Sequence, residues 1–116
     1  MAAVEGHPRR GDVYWVSLDP AQGTEIRKTR PAVVLSNDAC NRFGSRVVVV
    51  PLTSNVASLY PGEAIVSVEG REARALGDQL RSLDRRRLRT RIARLAVEEL
   101  RDVETAVRVT LGFDPV

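Results

Sequence analysis

Residues 29–38 read TRPAVVLSND, an arginine held in front of a proline at the head of an apolar run. Proline fixes its own φ and bars its predecessor from the helical region, so Arg30 is presented from stiff, extended backbone. The run behind it, PAVVLS, is apolar at consecutive positions, as a strand covered on both faces requires. A second run of the same kind, RVVVVPL from Arg46 to Leu52, leads into Thr53, Ser54 and Asn55. If the two strands are neighbours, a guanidinium and a hydroxyl open on one cleft. Such a pair can hold a phosphodiester and stabilise the added charge of its pentacoordinate transition state. Two plainer readings stand beside it, Arg30 in a structural salt bridge and Thr53 and Ser54 satisfying backbone groups at a strand end, and spacing alone favours the latter for the hydroxyls.

Working outward, DVYWVSL (Asp12 to Leu18) reads as the first strand, with Val13, Trp15 and Ser17 on one face and Tyr14, Val16 and Leu18 on the other. DPAQGTEIRKT, with Pro20 and Gly23, is a polar loop. NDACNRFG makes one helical turn closed by Gly44, EAIVSV is a strand, and REARALGDQLRSL continues in strand after a turn at Gly70. Ser82 or Asp84 caps a short turn running to Leu88, and TRIARL is the last strand. In VEELRDVETAVRVTLGF, Leu100, Val103, Val107 and Leu111 recur at helical spacing, Glu98, Glu99 and Asp102 load the first turns, and Gly112 ends the helix. The expected fold is mainly β with a C-terminal helix (α+β): one domain over residues 1–116, a small, strongly curved antiparallel barrel, with residues 1–10 as a frayed tail.

Composition narrows the chemistry. Hydrophobic residues are 43% and charged residues 28% of the 116, the balance of a globular domain. No apolar run approaches the ~18 residues of a membrane span, and the first residues lack the apolar centre of a signal peptide. One cysteine, Cys40, fits a reducing cytoplasm and an ordinary packed or half-buried position. With one cysteine and one histidine a zinc site is implausible, and no phosphate-binding loop, dinucleotide fingerprint or nucleophile elbow is present. Of 18 basic residues, one, Lys28, is lysine, and Arg81 to Arg94 carries seven arginines against Asp84, a local charge of +6. That segment suits a polyanion or an acidic protein tail, or else a solvated face paired with Glu98, Glu99, Asp102 and Glu104.

Four motifs in order, GDVYWVSLDPAQGTE, TRPAVVLSND, VVVVPLTSN and GDQLRSLDRRRL, resemble the MazF/PemK family of toxins from bacterial toxin-antitoxin systems, over about Gly11 to Phe113. The resemblance implies a homodimer of compact barrels of the CcdB and Src-homology kind. Its implied activity is metal-independent, cofactor-free, sequence-specific endoribonuclease cleavage of single-stranded RNA, often messenger RNA. It makes Arg30 and Thr53 the catalytic pair and Pro20 to Thr29 a gating loop, with Glu25 as base or latch. It assigns RNA contacts to Gly23, Thr24, Ser54, Asn55, Gln79, Arg81 and Arg86, and it implies a cognate antitoxin whose acidic, disordered tail crosses the same groove. Three positions depart from the family pattern: Ala73 and Arg74 replace a serine and an apolar residue, and Ala96 replaces a helix-capping serine.

Cleavage of this type uses the ribose 2′-hydroxyl as nucleophile and leaves a 2′,3′-cyclic phosphate and a 5′-hydroxyl. Arginine, with a pKa above ~12.5, is a poor base, which makes Arg30 a phosphate clamp and Thr53 a donor to a non-bridging oxygen. Two alternatives differ in kind: a non-catalytic topoisomerase poison like the CcdB toxins, and a plain RNA-binding module. Aromatic residues at 4% are thin for the latter's stacking platform.

Overall fold

A computed structural model describes residues 6–18, 23, 24 and 28–116. Among the described residues run seven strands: β1 (Asp12–Ser17), β2 (Thr29–Val34), β3 (Arg46–Thr53), β4 (Glu63–Val68), β5 (Arg71–Leu76), β6 (Arg81–Asp84) and β7 (Leu88–Arg94). A short helix α1 (Asp38–Phe43) joins β2 to β3, and α2 (Val97–Thr110) closes the chain. Single 3₁₀ turns lie at Gly77–Gln79 and Arg85–Arg87. All strand pairs are antiparallel, in the order β4-β5-β3-β2-β1-β7, with β6 also paired to β3. The result is a strongly curved half-barrel sheet with a C-terminal helix, as the sequence leads one to expect.

β3 is shared between partners. Residues 46–49 pair with β6 along one edge, Leu52 and Thr53 pair with β5 along the same edge, and β2 takes the other edge. Pro51, which has no N–H to donate, falls in the gap where that edge changes partner. The sheet therefore bends there without abandoning a donor.

Both faces of β2 and β3 are buried, which accounts for their unbroken apolar runs. Val33, Val50 and Leu52 join Val13, Val66, Ala75, Val103 and Val107 in one core under α2. Ala32, Val34, Val47 and Val49 join Val16, Leu18 and Leu83 in a second. α2 inserts Val103, Ala106 and Val107. Gly77 lies so close beneath α2 that a Cβ would meet the Gly62 carbonyl and the Thr110 hydroxyl. Among buried polar side chains, Asn41 is satisfied by Ser36 and Asp38, and the Ser36 hydroxyl accepts from Val48 N at 3.0 Å.

Four expectations change. Leu111, placed on the core face of α2, lies past the last turn and is 53% exposed. Cys40 is exposed on α1 rather than packed. Residues 9 and 10 are not frayed: Arg9 N donates to Asp12, and Arg10 bonds Asp38, the Leu35 carbonyl and Glu104, the last at 2.7 Å. Two of the α2 acids expected to face the arginine-rich segment have partners elsewhere, since Glu104 holds Arg10 and Glu99 accepts from Ser67 N on the edge strand β4.

Asp84 does cap the turn that follows it, by accepting from Arg86 N at 2.8 Å. Ala96, at the N-cap of α2, makes no side-chain bond to the orphan N–H groups of the first turn. Ala96→Ser should therefore raise unfolding stability by ~1 kcal/mol in urea titrations, a gain that would be absent if the first turn were already satisfied.

Candidate active site

Strand register decides whether Arg30 and Thr53 can share a substrate. β2 sets Ala32 opposite Pro51, Val33 opposite Val50 and Val34 opposite Val49. Carried two residues further, the register brings Arg30 level with Thr53, and the two-residue period of a strand puts both on the face of Ala32 and Val49. On the other edge of β3, Thr53 stands opposite Arg74 of β5. Arg30, Thr53 and Arg74 thus form one row across three adjacent strands, each step spanning ~4.8 Å. Arg81, opposite Val49, lies on the same face further along. Arg30, Thr53 and Arg81 are all half-buried, at the end where the second core opens.

The Thr53 hydroxyl accepts from Asn55 N at 3.3 Å, and the Asn55 carboxamide accepts from Ala57 N at 3.1 Å. Thr53 does satisfy a backbone group, as the plainer reading held. A hydroxyl that accepts still has its own proton to donate, so this contact leaves it able to bond a phosphate oxygen. The loop after Thr53 is pinned further along. Arg74 donates to the Ser58 carbonyl at 2.6 Å and lies 3.6 Å from Glu63, whose carboxylate also accepts from Tyr60 N. Arg74 is the neighbour of Thr53 to which sequence reasoning gave no place in the site. It stood out only as a departure from a family pattern, and its partners lie 16 and 11 residues away in the chain.

Other expected contact residues are dispersed. Ser54 and Asn55 are exposed on the loop after Thr53, and Gln79 is half-buried in the 3₁₀ turn before β6. Gly23 and Thr24 are exposed in a turn with Gly23 at φ +59°, whereas Glu25 lies outside the described residues. Arg86 is exposed within the basic stretch, its guanidinium pairing with Asp84 at 3.0 and 3.1 Å. Arg91 and Arg94 share Asp12 at 3.2 and 2.8 Å, and Arg85 donates to the Gly44 carbonyl. Much of the +6 segment therefore fastens the fold.

A groove of about 430 Å³ opens beside Thr53, lined by Trp15, Pro31, Leu52, Ser54 and the β4–β5 turn. No group of His, Cys, Asp or Glu among the described residues is arranged to hold a metal, and none of their helices is long and apolar enough to cross a membrane.

Residues 9–111 match the family model described as the PemK-like, MazF-like toxin of type II toxin-antitoxin systems. The chain belongs to that family. It is 38% identical over 114 residues to Endoribonuclease MazF9 of Mycobacterium tuberculosis, an alignment covering 90% of this chain and 97% of that protein. The solved structure of MazF from Deinococcus radiodurans superposes with a TM-score of 0.81 at 31% identity, covering 91% of this chain and 97% of that one. A MazE–MazF structure from the same organism gives 0.73 at 30% identity, covering 91% and 96%. This MazF-like toxin thus carries the Arg30–Thr53 row on the family's fold.

The Asp84–Arg86 pair makes a titration prediction. The Arg86 side chain, then its backbone N–H, hold the Asp84 carboxyl down from an ordinary 3.8 to about 2. A depressed carboxyl pKa means the contact is complete above the unfolded value and is lost as pH falls through about 2. Carboxyl-detected NMR should show Asp84 titrating near that value, and Arg86→Ala should move the midpoint up towards 3.8.

Proposed function

We propose that this MazF-like toxin is a metal-independent, sequence-specific endoribonuclease that cuts single-stranded RNA, messenger RNA included, with Arg30 and Thr53 as its catalytic pair. The shared level and face of these two strand-end side chains carry the reading. The Arg30 guanidinium clamps two oxygens of the scissile phosphate, a fork-to-fork contact that an ammonium cannot reproduce, and it donates toward the departing 5′-oxygen. Thr53 donates to a non-bridging oxygen whose charge grows in the transition state. The ribose 2′-oxygen bonds to phosphorus and loses its proton, for which Glu25 is the candidate acceptor. The bond from phosphorus to the 5′-oxygen breaks, and that oxygen takes up a proton. A cyclic phosphate and a 5′-hydroxyl result.

Relatives supply the wider setting. One is named an endoribonuclease, and another is solved together with MazE. We extend both to this chain: a cytoplasmic homodimer acting on RNA, restrained by a cognate antitoxin whose acidic tail crosses the Arg30–Thr53–Arg81 face. Gly23, Thr24, Ser54, Asn55 and Gln79 border that path, and Arg74 positions the loop that presents Ser54 and Asn55.

Incubating the protein with a long transcript in chelator, and sequencing the ends, tests this. Cuts at one short motif with cyclic-phosphate and 5′-hydroxyl ends are expected, and intact RNA would overturn the reading. Removing a preorganised donor of this type costs ~100- to 1000-fold in rate, so Arg30→Ala and Thr53→Val should each fall in that range while remaining folded. Arg30→Lys should lose most activity as well, because charge without the fork is insufficient.

A further inference from the structure

We propose that the groove beside Thr53 is a nucleobase subsite in which Trp15 stacks one base of the bound strand and the carboxylates of Glu69 and Glu72 accept from that base's exocyclic amine. The proposal rests on the ribonuclease reading of the same strand ends and goes beyond it by naming what a base meets there. Three observations carry it.

The first is Trp15 itself. It sits mid-strand in β1 between the half-buried Tyr14 and the fully buried Val16, with Val13 on its own face also fully buried, yet it is 40% exposed. Its cross-strand partner is Pro31, the proline behind Arg30, and both line the groove with Thr53 and Ser54. Large apolar surface left open in a strand this well buried is a candidate binding surface, and an indole is the best stacking platform among side chains.

The second is charge. The rim contributes Glu69 and Glu72 against Arg71, a net of −1, on a chain whose net charge is +3. A phosphate is repelled there. A base amine is welcome, because a carboxylate accepts from it, whereas uracil has no amine to offer. The phosphate remains on the arginine side of the Thr53 strand end, and the base turns over the Ser54 lip into the groove.

The third is conformational. The β4–β5 hairpin turns through Glu69 and Gly70, both at positive φ, +52° and +79°. Such two-residue turns favour Asn, Asp or Gly at the first position, and glutamate there is strained. Turn formation gives no reason for a glutamate. A carboxylate at the groove rim does, and held strain of this type gathers at ligand sites.

Because Trp15 is the chain's one tryptophan, its fluorescence reads the subsite directly. Titration with short 2′-O-methyl RNA oligonucleotides, which cannot be cut, should quench it more strongly for oligo(A) and oligo(C) than for oligo(U). With fluorescently labelled RNA, Trp15→Ala should weaken binding by ~10-fold or more and Trp15→Phe by much less. Glu69→Asn combined with Glu72→Gln should level the preference for amino-bearing bases. Asn suits the turn better than Glu, so this variant should melt no lower than the parent.

Quenching by a short acidic peptide but not by RNA would overturn the subsite in favour of protein docking. Transcript cleavage assayed alongside separates the two readings. Cutting by the parent with unchanged KM and cut sites in Trp15→Ala sinks the subsite alone, while absence of cutting by the parent sinks the nuclease reading itself.

Discussion

The constraint on which the molecule depends is the division of one edge of β3 between two partners. A strand that gives residues 46–49 to β6 and residues 52 and 53 to β5 cannot stay in one flat sheet, so the sheet must curl around it. Curling buries both faces of the central strands and makes two cores instead of one. Pro51 allows the change of partner, since the gap in the ladder falls at a residue that has no N–H to bond.

The same division sets the chemistry at the end of β3. Thr53 is the last residue of the strand and stands opposite Arg74 of β5, while the β2 register, paired as far as Ala32 and Pro51, carries Arg30 towards it from the other edge. A functional group on a loop has to be located by contacts, but one on a strand in register is located by the ladder. The loop beyond Thr53 is then fastened by short-range turns and by Arg74 and Glu63, so Ser54 and Asn55 start from a defined position. Preorganisation of this kind is what the proposed clamping and donating chemistry requires, because stabilising a transition-state charge needs donors that are already in place.

Electrostatics are distributed less simply than composition suggests. Arg86, Arg91 and Arg94 are paired with Asp84 and Asp12, and two carboxylates of α2, Glu104 and Glu99, are taken by Arg10 and by the edge of β4. Charge counted along a segment says little about charge offered to a ligand, since pairing partners come from elements far apart in the chain. Arg10 and Glu104 are 94 residues apart, and Arg94 and Asp12 are 82.

Taken alone, the sequence determined those features whose physics is local. Continuous apolar runs marked β2 and β3 as strands buried on both faces. Helical spacing and terminal acids marked α2, Ser82 and Asp84 stood out as candidate caps of the turn before Leu88, and Arg-Pro marked a stiffly presented guanidinium. Motif order further identified the family. Tertiary structure decided what depends on pairing between distant residues: which edge of β3 meets which strand, that the β2 register carries Arg30 towards Thr53, that Arg74 stands opposite Thr53, and that Arg91 and Arg94 converge on Asp12. It also left Leu111 and Cys40 outside the cores and tied down Arg9 and Arg10. Register and pairing are properties of two or more segments at once, and no single stretch of chain contains them.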